Sequence, residues 1–238
     1  MQNETNTDKR PRLTGVMWGI DILLCALGTR LSSNSGFGMS MVAAPARVFF
    51  LFLEKIFPAV SYGAAEYIFQ GLLLVLLAVV LRRFKWKYPV AFLPGLLFGL
   101  ALDGWGLVFG TEIYVSLAVR IVAAVCGALI SAFSIAGFLR SYLPQQVYEL
   151  IVKEVTDKYG FQIGKVKWIY DISSLLLAVV MMLVLIGKYD LSIVGIGTLI
   201  ATVINAPLIS LFGKLLDKVV SFETACPKFK AWFDRYLD

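Results

Sequence analysis

The sequence predicts an all-α polytopic membrane protein: six transmembrane helices as a 3+3 inverted-topology repeat, each half with a lateral amphipathic or re-entrant helix. Three observations lead there. Of 238 residues, 59% are hydrophobic and 16% charged, with a mean hydropathy of +0.79; a soluble domain is about a quarter charged. Apolar runs of 18 residues or more recur, each long enough for a bilayer core of roughly 30 Å. Two stretches about a hundred residues apart also repeat one order of glycine, proline and polar landmarks.

Composition narrows the function classes. The net charge of +6 marks cytoplasmic loops in such a chain and points to no nucleic-acid partner. There is no histidine, which removes the commonest metal ligand and general base. Cys25, Cys126 and Cys226 form neither a CxxC pair nor a disulfide framework.

Residues 1–13 are polar, and Lys9, Arg10 and Arg12 precede the first apolar run like a signal peptide's basic region. No small-x-small cleavage pattern closes that run, so it reads as a retained span at 14–31. Further spans are expected at 62–82, 89–110, 113–139, 168–187 and 194–213, followed by a basic amphipathic cytoplasmic tail, 214–238. The segment 40–58 is decided by charge. If it stays out of the span count and the N-terminus is inside, the inner segments hold 17 of the 22 Lys and Arg. If it spans, "RRFKWK" falls outside, against the positive-inside rule. Six spans with both termini cytoplasmic follow, in a bacterial plasma membrane.

Residues 145–158 carry Val147, Leu150, Ile151 and Val155 on one face and charges on the rest, as a helix lying on a membrane surface does. Its surroundings repeat those of 40–58. Gly-Phe ends a span, Pro45 or Pro144 starts the lateral helix, and Gly63 or Gly164 opens the next span. Gln70 and Asp171 follow seven residues later. Asp103 and Asn205 fall at matching distances beyond. Three spans per unit is odd, so the halves 14–110 and 113–213 run in opposite senses, as in many secondary transporters.

With "GTRLSSNSGFGMSMVAAP", "YPVAFLPGLLFGLALD", "LPQQVYELIVKEV", "GKVKWIYD" and "VGIGTLIATVINAP", the chain resembles the YczE/YitT-like family of bacterial integral membrane proteins over about residues 20–213. The resemblance implies a multi-span plasma-membrane protein of a kind often presumed to transport. The sequence departs from the family's Gly-x-Ser-Pro-Trp, having Gly38-Met39-Ser40-Met41-Val42. It is read as lacking the soluble domain that YitT-type proteins carry after their spans.

Ionisable and polar groups inside spans are the candidate substrate- or ion-binding residues: Asp21, Gln70, Asp103, Arg120, Asp171 and Asn205. Asp21 and Arg120, at corresponding depths of the first and fourth spans, are expected to pair across the repeat interface. Asp103, flanked by glycines, either holds a proton or cation or caps a broken helix. Gly36, Gly38, Gly95, Gly195 and Gly197 mark helix breaks. They either leave backbone N–H groups free for an anion or let helices pack closely. Arg30, Asn34 and Arg47 flank the first break and recruit an anion or meet lipid headgroups.

No metal or cofactor site and no nucleotide-binding loop is legible. Tyr170-Asp171 with Gly195-Ile196-Gly197 is similar to intramembrane aspartyl proteases, but Thr198 stands where their second aspartate is required. An enzyme is not expected. The function expected is a permease for a small solute, proton- or ion-coupled. The alternative is a membrane-embedded scaffold acting on a partner enzyme through its basic face and tail. Homodimerisation through glycine-rich faces stays open at this level.

Overall fold

In a computed structural model of the chain, the described residues are 14–82, 87–141 and 143–219. The expected tail 1–13 and residues 220–238 of the expected tail 214–238 lie outside them, as do Arg83, Lys85 and Trp86. The described residues form α1 (Thr14–Ser35), α2 (Ala44–Ile56), α3 (Tyr62–Leu81), α4 (Lys87–Phe109), α5 (Leu117–Phe138), α6 (Val147–Tyr159), α7 (Ile163–Met181, continued by a π-helical turn Met182–Ile186) and α8 (Ile196–Val219). Six of these helices are long and apolar enough to cross a membrane. The other two, α2 and α6, have 13 residues each. At 1.5 Å per residue each is about 20 Å long, too short for a bilayer core.

Helix ends differ from expectation for identifiable reasons. The first span runs past 31 to Ser35 because its polar end is buried against protein. Asn34 Nδ2 donates to the carbonyls of Phe109 and Gly110, at 3.3 and 3.0 Å. Gly36, at φ +66°, then turns the chain out of the helix. The fourth span starts at Leu117 and not 113, since Gly110 (φ +76°) and the bond from Tyr114 N–H to Asn34 O hold 110–116 as a loop. The fifth begins at Ile163, with Lys167 paired to Asp171 along its own helix at 2.7 Å. The sixth reaches Val219, and Asp217 in its last turn is held by Arg140 at 2.6 and 2.9 Å. Pro45 sits in the first turn of α2, whereas Pro144 lies three residues before α6.

The two halves meet along α1 and α5, which cross antiparallel at a seam of small residues. A Cβ on Gly28 would strike Ser131 and lie 2.8 Å from the Gly127 carbonyl; one on Gly127 would lie 2.6 Å from Ser32 Oγ and 2.9 Å from the Gly28 carbonyl. The contact is reciprocal, each glycine resting on the other. Further out, α4 packs on α1 and α8 on α5. Trp105 Nε1 fastens α4 to the Leu23 carbonyl at 2.9 Å, and Trp18 Nε1 reaches the Pro144 carbonyl at 2.8 Å. The short helices cross between halves: α2 packs on α3 and α7, and α6 on α7, α3 and α4.

Candidate functional site

The first turns of α2 and α6 converge on one place. Ala46 of α2, Phe69 of α3 and Tyr148 of α6 are buried in a single apolar cluster. Behind it, on α3, sits Glu66, 1% exposed. Its Oε1 accepts from the Tyr148 hydroxyl at 2.5 Å and from Gln70 Nε2, one helical turn on, at 3.4 Å. Glu66 Oε2 and Gln70 Oε1 have no partner among the described residues. Gly95 of α4 makes room for the amide, since a Cβ there would fall 2.5 Å from Gln70 Oε1. No Lys or Arg stands within ion-pair distance of Glu66 among the described residues.

Beside this acid lies a groove of ≈ 400 Å³ between α2, α3, α6 and α7, lined among others by Pro45, Phe69, Tyr148, Ile151, Tyr170 and Ser174. Tyr148 stands between the groove and Glu66. Burial, reinforced by the Glu66 carboxylate, holds the Tyr148 hydroxyl well above its ordinary value, so it remains a donor. Burial also pushes the neighbouring Glu149 carboxyl up, with Lys167 pulling it partly back.

Asp21 and Arg120 do not meet. Asp21 is fully buried against Gly137, and neither of its oxygens has a hydrogen-bond partner among the described residues. Arg120 is at the far end of the seam, where Nε donates to the Ser35 carbonyl at 2.7 Å and Nη2 to that of Gly36 at 3.2 Å. The cause is the reciprocity of the α1–α5 contact. Asp21 and Arg120 each stand seven residues before the central glycine of their helix, so crossing antiparallel places them roughly 20 Å apart. Each packs on the glycine that ends the other helix.

Asp103 is occupied as a cap. It accepts from Ser61 Oγ at 2.5 Å and Gly63 N–H at 2.7 Å, at the start of α3. Asp171 pairs with Lys167, and Asn205 is half-buried on α8 with no hydrogen bond among the described residues. Three of the candidate break glycines, Gly36, Gly195 and Gly197, have their N–H groups engaged and so not free for a ligand, and Gly95 lies inside α4 and marks no break. Gly197 N–H donates to the Phe37 carbonyl at 2.8 Å, Met39 N–H to that of Ile193 at 2.9 Å, Gly36 N–H to that of Ser33 at 3.3 Å, and Gly195 N–H to Thr198 Oγ1 at 3.3 Å.

Gln70 is therefore the sequence candidate that reaches the central acid, and Asp21, Asp103, Arg120, Asp171 and Asn205 do not. Glu66 is absent from the sequence candidates. Its signal is nevertheless in "AAEYIFQ": an acid one turn before Gln70, inside a span, with no basic neighbour.

Over residues 13–214 the chain matches a family of unknown function (DUF6198), and it belongs to that family. No curated protein and no solved structure matches it.

Proposed function

We propose that this protein is a secondary transporter for a small solute, made of two three-span halves of opposite orientation with both termini cytoplasmic, and that Glu66 is its coupling carboxylate. The observation that carries this is the bond from Tyr148 to Glu66, which ties a short helix of one half to a span of the other beside a solute-sized groove. The reciprocal Gly28–Gly127 contact supports opposed halves, because a two-fold relation makes such paired contacts. The concentration of Lys and Arg on one set of loops supports cytoplasmic termini. The resemblance to YczE/YitT-like proteins points the same way.

The chemistry is simple. A carboxylate buried without a basic partner must be neutralised by a proton or a small cation. When Glu66 is charged, its bond from Tyr148 is charge-assisted and about twice as strong as a neutral one. Proton binding weakens that bond and loosens α6 from α3, next to the groove. Solute passage is thereby linked to the protonation of one residue. Asp103, holding two donors already, serves the structure of α3.

The test is proton movement in liposomes carrying the protein and an enclosed pH dye, challenged with small solutes. A solute should drive proton flux in the wild type, and Glu66→Gln should abolish it while unfolding at an unchanged temperature. Solute-driven proton flux that survives in E66Q would remove Glu66 from the mechanism. A folded wild type that neither moves protons nor accumulates any solute across a broad panel would overturn transport itself.

A further inference from the structure

Two arginines outside the Glu66 site converge on one aromatic ring. The Arg30 guanidinium carbon lies 5.4 Å from the centre of the Tyr62 ring, and that of Arg47 lies 4.9 Å from the same centre and 5.0 Å from that of Phe50. Arg30 is 1% exposed. Its Nη2 donates to the Leu102 carbonyl at 2.8 Å, but Nε and Nη1 have no acceptor among the described residues. Gly106 leaves room at the fork, since a Cβ there would lie 2.9 Å from Arg30 Nη2.

Neither arginine has a carboxylate within ion-pair distance among the described residues. Asp103 is close enough to act on the charge of Arg30, yet its oxygens are held by Ser61 and Gly63. Two half-buried arginines elsewhere behave differently: Arg120 directs its donors to the Ser35 and Gly36 carbonyls, and Arg140 directs its own to Asp217 and Ala136. A guanidinium is a rigid fork of donors, and burying one with the fork unfilled is costly. Two such groups over one ring also repel each other. A polyatomic anion at the open fork would fill it and offset the repulsion.

We propose that Arg30 and Arg47, over Tyr62, form an oxyanion site that takes a carboxylate, phosphate or sulfate group. Paired guanidiniums suit this class because their parallel N–H groups match the spacing of oxygens on one centre. Tyr62 and Phe50 form the apolar floor and keep the arginines in place through their ring faces. Arg47, half-exposed on α2, is the entry side, and Arg30 is the buried end. The inference deepens the transport reading by giving its cargo an anionic group, and depends on that reading for the cargo role alone. The same chemistry fits a free oxyanion or the headgroup of an anionic lipid.

The experiment is direct binding to the full chain, delipidated in neutral detergent. Sodium sulfate, phosphate and acetate are titrated against chloride at constant ionic strength, with the thermal midpoint as readout. Sulfate stabilises proteins generally by exclusion from their surface, so the quantity read is the saturable part of the shift that the variants lose. The wild type should show a saturable shift with at least one oxyanion. Arg47→Gln, which touches no buried backbone acceptor, should weaken that binding at least tenfold. Arg30→Lys, which retains a donor for Leu102 but not the fork, should do the same. In a second arm, native mass spectrometry counts retained phosphatidylglycerol against phosphatidylcholine. Selective retention of phosphatidylglycerol that R47Q loses, without binding of free ions, assigns the site to a headgroup. Glu66→Gln should bind like the wild type, so a dead transporter with an intact anion site separates the two proposals. Absence of binding in both arms, or R47Q binding as tightly as the wild type, overturns the site.

Discussion

Helices α3 and α4 follow the short helix α2 as α7 and α8 follow the short helix α6, yet the two pairs are held very differently. Within their most apolar windows, 39% and 33% of α3 and α4 are buried, against 17% and 11% for α7 and α8. The first pair forms a continuous seam and the second none. The reason lies in what stands across from each polar residue. Gln70 faces Gly95, Gly63 faces Gly99, and Asp103 reaches back to Ser61 and Gly63 N–H. In the second pair Gly164 has nothing within 4 Å, Asp171 bonds to its own helix, and Asn205 finds no partner among the described residues. Polar residues at corresponding positions do not make a seam unless a glycine opposite lets the backbones close. The sparsely packed pair is also the part with the least to lose on moving.

The largest expected effect comes from closing that seam by force. Gly63→Leu would drive a side chain into the Gly99 carbonyl and Asp103. It should cost about 3 kcal/mol, the upper end for overpacking. Gly164→Ala, with open space around it, should stay within about 0.5 kcal/mol. Chemical unfolding in bicelles compares the two, and equal losses would dissolve the contrast between the halves.

A smaller difference is expected from the polar mates. Asp103→Ala strands the Ser61 hydroxyl and Gly63 N–H and should cost about 1–3 kcal/mol. Asn205→Ala should change stability by no more than about 0.5 kcal/mol. A D103A protein as stable as the wild type would show that α3 does not need its cap.

The smallest effect is a slope. Burial raises the Glu149 carboxyl above its ordinary 4.5, so the folded chain binds that proton more tightly than the unfolded one. Stability from this group is complete below 4.5 and is lost as pH rises through the folded value. Glu149→Gln should therefore gain on the wild type as pH moves from acid toward neutral. Parallel pH profiles for the two proteins would count against a desolvated Glu149.

Much of the fold was legible because hydropathy over 20 residues is a strong signal: all six expected spans have a helix, with ends displaced by a few residues. Those displacements trace to contacts that sequence does not carry, such as the burial of Asn34. The site was less legible. Asp21 and Arg120 invite pairing because they stand at similar depths of their spans, but the antiparallel crossing of α1 and α5 is what keeps them apart. Glu66 is less conspicuous than Gln70 because only Gln70 has a counterpart, Asp171, at the matching distance from a glycine, although an acid in a span is the rarer event. Which residues face the groove depends on how α2 and α6 enter the bundle. The apolar face read for α6 includes Ile151 and Val155, which line the groove, but not Tyr148.

The contact of Gly28 with Gly127 has a mechanical side. Here α1 and α5 touch backbone to backbone with no long side chain between them, so the two helices come close at the middle of their crossing. A line contact of that sort acts as a fulcrum. Tilting one half about it leaves the glycines almost where they were and swings the ends of α1 and α5 through the longest arc. The residues seven positions out, Asp21 at one extreme and Arg120 at the other, ride at the tips of that lever. Each has the terminal glycine of the opposite arm, Gly137 or Gly36, as its stop.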